Sequence, residues 1–256
     1  MIGEWVKMIL IAGLLMSLMG LLSVAVRRFN LPAEWGRKLL HLMMGSMAMS
    51  FPWLIGPPAP VLMLAVLAGA WLLAVRTSPQ LRVRFGAALH AVDRPSWGEI
   101  HFAAGAAGSY LLAGGDALCF ALPMALLTFA DTAAAIVGTY SARRHPIGIH
   151  NKSFEGCAAF FAVSCVCAFT ALSFGAHSPP TERLGAALQL AFDVTALEII
   201  GARGADNLLI PIGATCLMPL LLNGSPAVPW VHLGLAAVLM SLWRHPRWGG
   251  PDGYLL

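Results

Sequence analysis

Charge is scarce in this chain. Asp, Glu, Lys and Arg make up only 11% of its 256 residues, against 58% hydrophobic, where soluble domains carry about 25% charged residues. That shortage excludes a sizeable soluble domain beside the apolar part. Cysteine is sparse too. Cys119, Cys157, Cys165, Cys167 and Cys216 lie in or beside apolar runs, Cys165-Val166-Cys167 lacks CxxC spacing, and no histidine cluster accompanies it. Neither a disulfide framework nor a zinc site is supported. There is no internal repeat, no low-complexity linker and no Walker A loop, since GxxxxGK[ST] finds no match around Lys152-Ser153. The net charge of +4 does not point to nucleic acid, because the basic residues punctuate the ends of apolar runs, as membrane topology requires.

What remains is a series of apolar segments near 5–26, 38–55, 58–75, 99–114, 117–138, 155–175, 185–201, 207–222 and 228–243. The first is longer than a signal-peptide core and reads as a retained span. The fourth and eighth are short of the roughly 20 residues of a full crossing. The expectation is a single all-α integral membrane domain over 1–256, a bundle of about 7–9 transmembrane helices. Alternate loops hold Arg27, Arg28, Arg37 and Lys38; Arg76, Arg82, Arg84 and Arg94; Arg143, Arg144 and Lys152; Arg203; and Arg244 with Arg247. The opposite side has only Lys7 and Arg183. The positive-inside rule then sets the N-terminus outside and the C-terminus in the cytoplasm, in a bacterial-type inner membrane.

Asp131 breaks the pattern, lying inside the apolar stretch 117–137. A carboxylate at membrane depth costs roughly 2.5–3.5 kcal/mol and usually marks a functional site. Asp131, Ala134, Ala135 and Gly138 share a helix face whose small residues admit another helix or a ligand. Lys152 and Ser153 precede a helix start, where backbone N–H groups and a lysine suit phosphate, with Arg143 and Arg144 in the loop before them; the structural alternative is an Asp131–Lys152 salt bridge. Glu34, Arg37, Lys38 and His41 fall on one helix face, which reads either as a basic collar at a helix end or as part of a site. Arg94 and Glu99 flank a Pro–Gly turn that could be merely a capped connection. Glu198, Asp206 and Asn207 surround a glycine turn; they crowd oxygen ligands suited to Mg²⁺, although Asp206 or Asn207 could simply cap the next helix.

In order, these segments resemble the dolichol kinase, phytol kinase and CTP-dependent diacylglycerol kinase family over about 34–215. Glu34–His41 is similar to its E-x-x-R-K-x-x-H segment and Arg94–Glu99 to its R-x-S-Y-G-E turn, with Trp97 in place of Tyr. Asp131–Gly138 with Lys152-Ser153-Phe154-Glu155-Gly156 is similar to its A-D-x-x-A-x-x-V-G and K-S-x-E-G pair, with Asn151 where Gly is usual. Glu198 with Gly204–Asn207 and Pro211 is similar to its last segment.

The resemblance implies phosphoryl transfer from CTP to the hydroxyl of a membrane lipid alcohol (a polyprenol, a phytol-like prenol or diacylglycerol) with Mg²⁺ or Mn²⁺. Asp131, Asp206, Glu198 and Asn207 are the candidate metal ligands. Lys152, Ser153, Arg143, Arg144, Arg37 and Lys38 are the candidate phosphate contacts, with Asp131 the candidate base and His41 its runner-up. Glu34, Arg94, Glu99 and Glu155 complete the candidate site. The alternatives are a phosphatidate cytidylyltransferase-like enzyme and a small secondary transporter coupling an ion through Asp131.

Overall fold

The computed structural model describes residues 2–85, 97–147, 149, 150, 152–175 and 179–244. Among these there is no strand. The chain runs through α1 (Ile2–Arg28), α2 (Ala33–Met49), α3 (Phe51–Leu54), α4 (Pro58–Thr77), α5 (Pro79–Phe85), α6 (Gly98–Leu112), α7 (Ala117–Ala125), α8 (Asp131–Tyr140), α9 (Phe154–Gly175), α10 (Pro180–Ile200), α11 (Asp206–Leu222) and α12 (Val228–Arg244). Local chemistry explains many boundaries. Pro58 and Pro180 open α4 and α10, where a missing N–H costs nothing. The Asp116 side chain caps α7 by accepting from the Cys119 N–H at 2.9 Å. Pro52 forces the short break at Ser50 that separates α3 from α2.

α7 and α8 form one rod joined by a π-helical turn, Leu126–Ala130. Among the described residues this rod is one of four helices long and apolar enough to cross a membrane; the others are α1, α4 and Phe154–Phe174 of α9. In the rod's most apolar window 67% of residues are buried, against 22–28% in the other three. The rod is therefore the centre of the bundle, and the other three turn apolar surface outward. Ile9, Leu10, Val66, Phe174 and Trp230 are among the large side chains left exposed. A soluble monomer rarely tolerates apolar surface of that extent, so the protein is a membrane helix bundle.

α9 packs on α8 and α10, α11 lies between α6 and α10, and α2 lies against the rod. The starts of α2, α6 and α11, the end of α10 and the loop before α9 thereby gather at one end, around the first turn of α8.

Candidate functional site

The π turn presents Asp131. One extra residue per turn there disrupts the regular i→i−4 ladder, and the Leu127 carbonyl oxygen accepts a hydrogen bond from His41 Nε2 at 2.9 Å. Lys38, one turn before His41 on α2, donates from Nζ to Asp131 Oδ2 at 2.5 Å and to the Asp131 carbonyl oxygen at 3.2 Å. His41 Nε2 also lies 3.4 Å from Asp131 Oδ2. Lys38 is only 2% exposed, so it is no snorkelling collar; it is the buried counter-ion of the intramembrane carboxylate. Arg37, at the preceding position, turns instead to Glu34 at 2.6 Å.

Across the site, Lys152 Nζ donates to Glu198 Oε1 at 2.5 Å and to Asp206 Oδ2 at 3.2 Å. The Asp131–Lys152 bridge considered from sequence is thus replaced by two separate pairings. Burial acts to lower the Lys152 pKa, but the adjacent Glu198 and Asp206 carboxylates outweigh it and hold the amine above the usual lysine range. A single oxygen from each of Asp131, Glu198 and Asp206 lies within 4.8 Å of the other two. Glu198 is buried, and its Oε2 has no hydrogen-bond partner among the described residues.

Such an arrangement, three hard oxygen donors and one buried carboxylate oxygen without a partner, fits a divalent cation of the Mg²⁺ type, which takes carboxylates together with phosphate oxygens.

The remaining candidates divide. Ser153 Oγ accepts from the Gly156 N–H at 3.2 Å and so caps α9. The small face of α8 receives a helix rather than a ligand: a Cβ on Gly156 would stand 3.0 Å from the Ala134 carbonyl oxygen. Asn207 donates from Nδ2 to the Gly98 carbonyl oxygen at 2.8 Å, tying α11 to the start of α6. Asp206 is not the N-cap of α11, which is Ala205; its Oδ1 accepts from the Asn207 N–H at 3.0 Å. Glu155 is bonded to His145, 2.5 Å from Nδ1, and so pins the loop before α9. Arg143 and Arg144 lie exposed on that loop, and Arg94 falls outside the described residues. Glu99 is in the wall of a cleft between α1, α2, α4 and α6.

Arg37, His41, Gly98, Glu99 and Asn207 form the polar end of that cleft; Met44, Ala48, Phe51, Val61, Leu64 and Ala107 are among its apolar lining.

Two features escaped the sequence reading. The pairing of Lys38 with Asp131 spans the bundle and leaves no mark in local spacing. Asp193, fully buried in α10, has His232 Nε2 of α12 at 2.9 Å from Oδ1 and 3.1 Å from Oδ2. Its signal was the one that exposed Asp131, a carboxylate inside an apolar run. Comparison with protein-family models, with curated proteins and with solved structures found no match.

Proposed function

We propose that this protein is a lipid kinase that transfers the γ-phosphoryl group of CTP to the hydroxyl of a membrane lipid alcohol at the cytoplasmic face of the membrane. The reading rests chiefly on one observation: three carboxylates, the buried Lys38 and the half-buried Lys152 converge in a membrane bundle beside the polar end of an apolar cleft. Phosphoryl transfer asks a protein for positioning and charge neutralisation more than for covalent chemistry, and this cluster offers both. The choice of CTP comes from the family resemblance of the four segments.

Asp131, Glu198 and Asp206 would hold the divalent cation, which when bound neutralises charge developing on the β- and γ-phosphate oxygens. Lys152 keeps its ammonium charged and sits at the entry to α9, where it can turn from its carboxylates to phosphate. Lys38 fixes Asp131 in place and offsets its charge within the bundle. The orientation, with N-terminus outside, C-terminus in the cytoplasm and about 7–9 crossings, belongs to the same reading. It puts the cluster where soluble nucleotide is available.

The test is label transfer. Purified protein in nanodiscs is given γ-labelled CTP or ATP, a panel of lipid alcohols, and Mg²⁺, Mn²⁺ or chelator. Metal-dependent labelling of an alcohol, faster with CTP, is expected. No labelled lipid with any nucleotide and alcohol, together with substrate counterflow in sealed vesicles, would replace the kinase by a transporter.

A further inference from the structure

Trp35 and Tyr140 are both exposed, at 38% and 51%, and they touch each other. Their ring centroids are 6.0 Å apart and the planes are tilted by 33°. They come from different helices. Trp35 lies in the first turn of α2, and Tyr140 is the last residue of α8.

Helix direction places the pair over the charged cluster. Trp35 stands three residues before Lys38 on α2, a rise of about 4.5 Å, and Tyr140 nine residues after Asp131 on α8, a rise of about 13 Å. Lys38 and Asp131 are bonded to each other, so the aromatic pair lies farther out along both helices. The end of α8 also meets the start of α9. A Cβ on Gly138 would stand 3.1 Å from Ser153 Oγ, and Ser153 follows Lys152, whose Nζ holds Glu198 and Asp206. Tyr140, two residues past Gly138, is therefore placed above Lys152 as Trp35 is above Lys38. Along α8 burial gives way in the same direction: Asp131, Thr132 and Ala134 are buried, while Val137, Thr139 and Tyr140 are exposed.

Trp and Tyr at helix ends commonly form a belt at the membrane interface. A belt rings the perimeter of a bundle. Tyr140 instead ends the most buried of the membrane-length helices, on the helix that presents Asp131.

We propose that Trp35 and Tyr140 are the platform on which the base of the nucleotide stacks. The assignment rests on the kinase reading. Three phosphates and a ribose separate the base from the γ-phosphorus. A nucleotide whose γ-phosphate reaches Asp131, Glu198 and Asp206 thus projects its base outward, along the rise that separates Asp131 from Tyr140. The two rings already touch, so the base lies across an outer face rather than between them. Stacking on an aromatic side chain tolerates any base, because every base has a π face. The pair supplies affinity for the nucleoside and does not choose cytosine over adenine.

The test separates base from phosphate. Equilibrium binding of labelled CTP and ATP is measured in nanodiscs with Mg²⁺ and no lipid alcohol, for the wild type, Trp35→Leu, Tyr140→Leu, Trp35→Phe and Tyr140→Phe. Inorganic tripolyphosphate is the competitor, since it has the phosphates and no base. The leucine variants keep apolar bulk between α2 and α8. Each is expected to weaken CTP and ATP binding at least fivefold while the Kd of tripolyphosphate stays within twofold. The phenylalanine variants, which keep an aromatic face, are expected to restore CTP affinity.

Tripolyphosphate weakened in step with CTP would make the pair a prop between two helices and overturn the platform. Lipid labelling by the wild type, with unaltered CTP binding in both leucine variants, would remove the platform alone. A wild type that binds neither nucleotide and labels no lipid would remove the kinase reading and the platform with it.

Discussion

At the scale of single residues, Asp131 and Lys38 are one unit. Removing one partner of a buried ion pair typically costs 3–5 kcal/mol because the other charge is left uncompensated. Asp131→Asn is therefore expected to abolish phosphoryl transfer and also to lower thermal stability. The two effects separate in the double variant Lys38→Met/Asp131→Asn, which should recover much of the melting temperature in detergent and none of the activity. Near-normal turnover in Asp131→Asn would remove it from the site.

Lys152→Ala is expected to raise the nucleotide KM or lower kcat at least tenfold, about 1.4 kcal/mol. A loss confined to the lipid KM would argue against phosphate binding. The pH behaviour of Lys152 follows from its raised pKa. A group whose folded pKa lies above its unfolded value, about 10.4 for lysine, contributes stability that is fully present below that value. The contribution is lost only as pH rises through the folded one. The Lys152 ammonium should hence stay charged until strong alkali, and the melting-temperature difference between wild type and Lys152→Met should persist until then. A difference that falls away near pH 8 would show that the Glu198 and Asp206 contacts do not hold the charge.

At the scale of elements, the π turn and the glycine opposite it set the site. A Cβ on Gly45 of α2 would meet the Thr128 side chain within the π turn, so α2 can approach closely only with glycine there. Gly45→Ala is expected to destabilise the protein by about 1–3 kcal/mol and to lower kcat by moving His41 and Lys38 away from Asp131. An unchanged melting temperature would mean the helices separate freely and the close approach is not required.

Carboxylates from α8, α10 and α11 form the cluster, and their effects on metal use should be shared. Asp206→Ala is expected to raise the Mg²⁺ concentration for half-maximal activity. Combined with Asp131→Asn, it should lose little beyond the worse single variant, because residues acting as a unit are non-additive. Normal turnover and metal dependence in Asp206→Ala would confine Asp206 to its hydrogen bonds with Lys152 and the α11 start. The segments holding these carboxylates were legible from the sequence, because ionisable residues at the edges of apolar runs stand out. Their partners were not: the Leu127 carbonyl has no side-chain signature, and a π turn follows from how a helix is packed rather than from its composition.

At the scale of the whole molecule, the basic loops make topology testable. Cysteines at Arg144 and Arg203, both on exposed turns, are expected to react only with reagent on the cytoplasmic side, and one at Glu182 only from outside. Labelling of either arginine site from outside would put the cluster on the wrong face for nucleotide. The all-helical membrane character and most helix limits were determined by the sequence alone, because apolar runs, flanking charges and prolines act locally and each is readable where it stands. Which carboxylate meets which lysine, the burial of Lys38, the bond from His41 Nε2 to the Leu127 carbonyl and the cleft between α1, α2, α4 and α6 were decided only by the tertiary structure. Those features join residues up to 93 positions apart, as Lys38 and Asp131 are, and depend on how deeply each helix sits against the rod formed by α7 and α8. In a bilayer that depth is set by close packing of small residues and by pairing of buried charges, both of which need the partner helix in place before they exist.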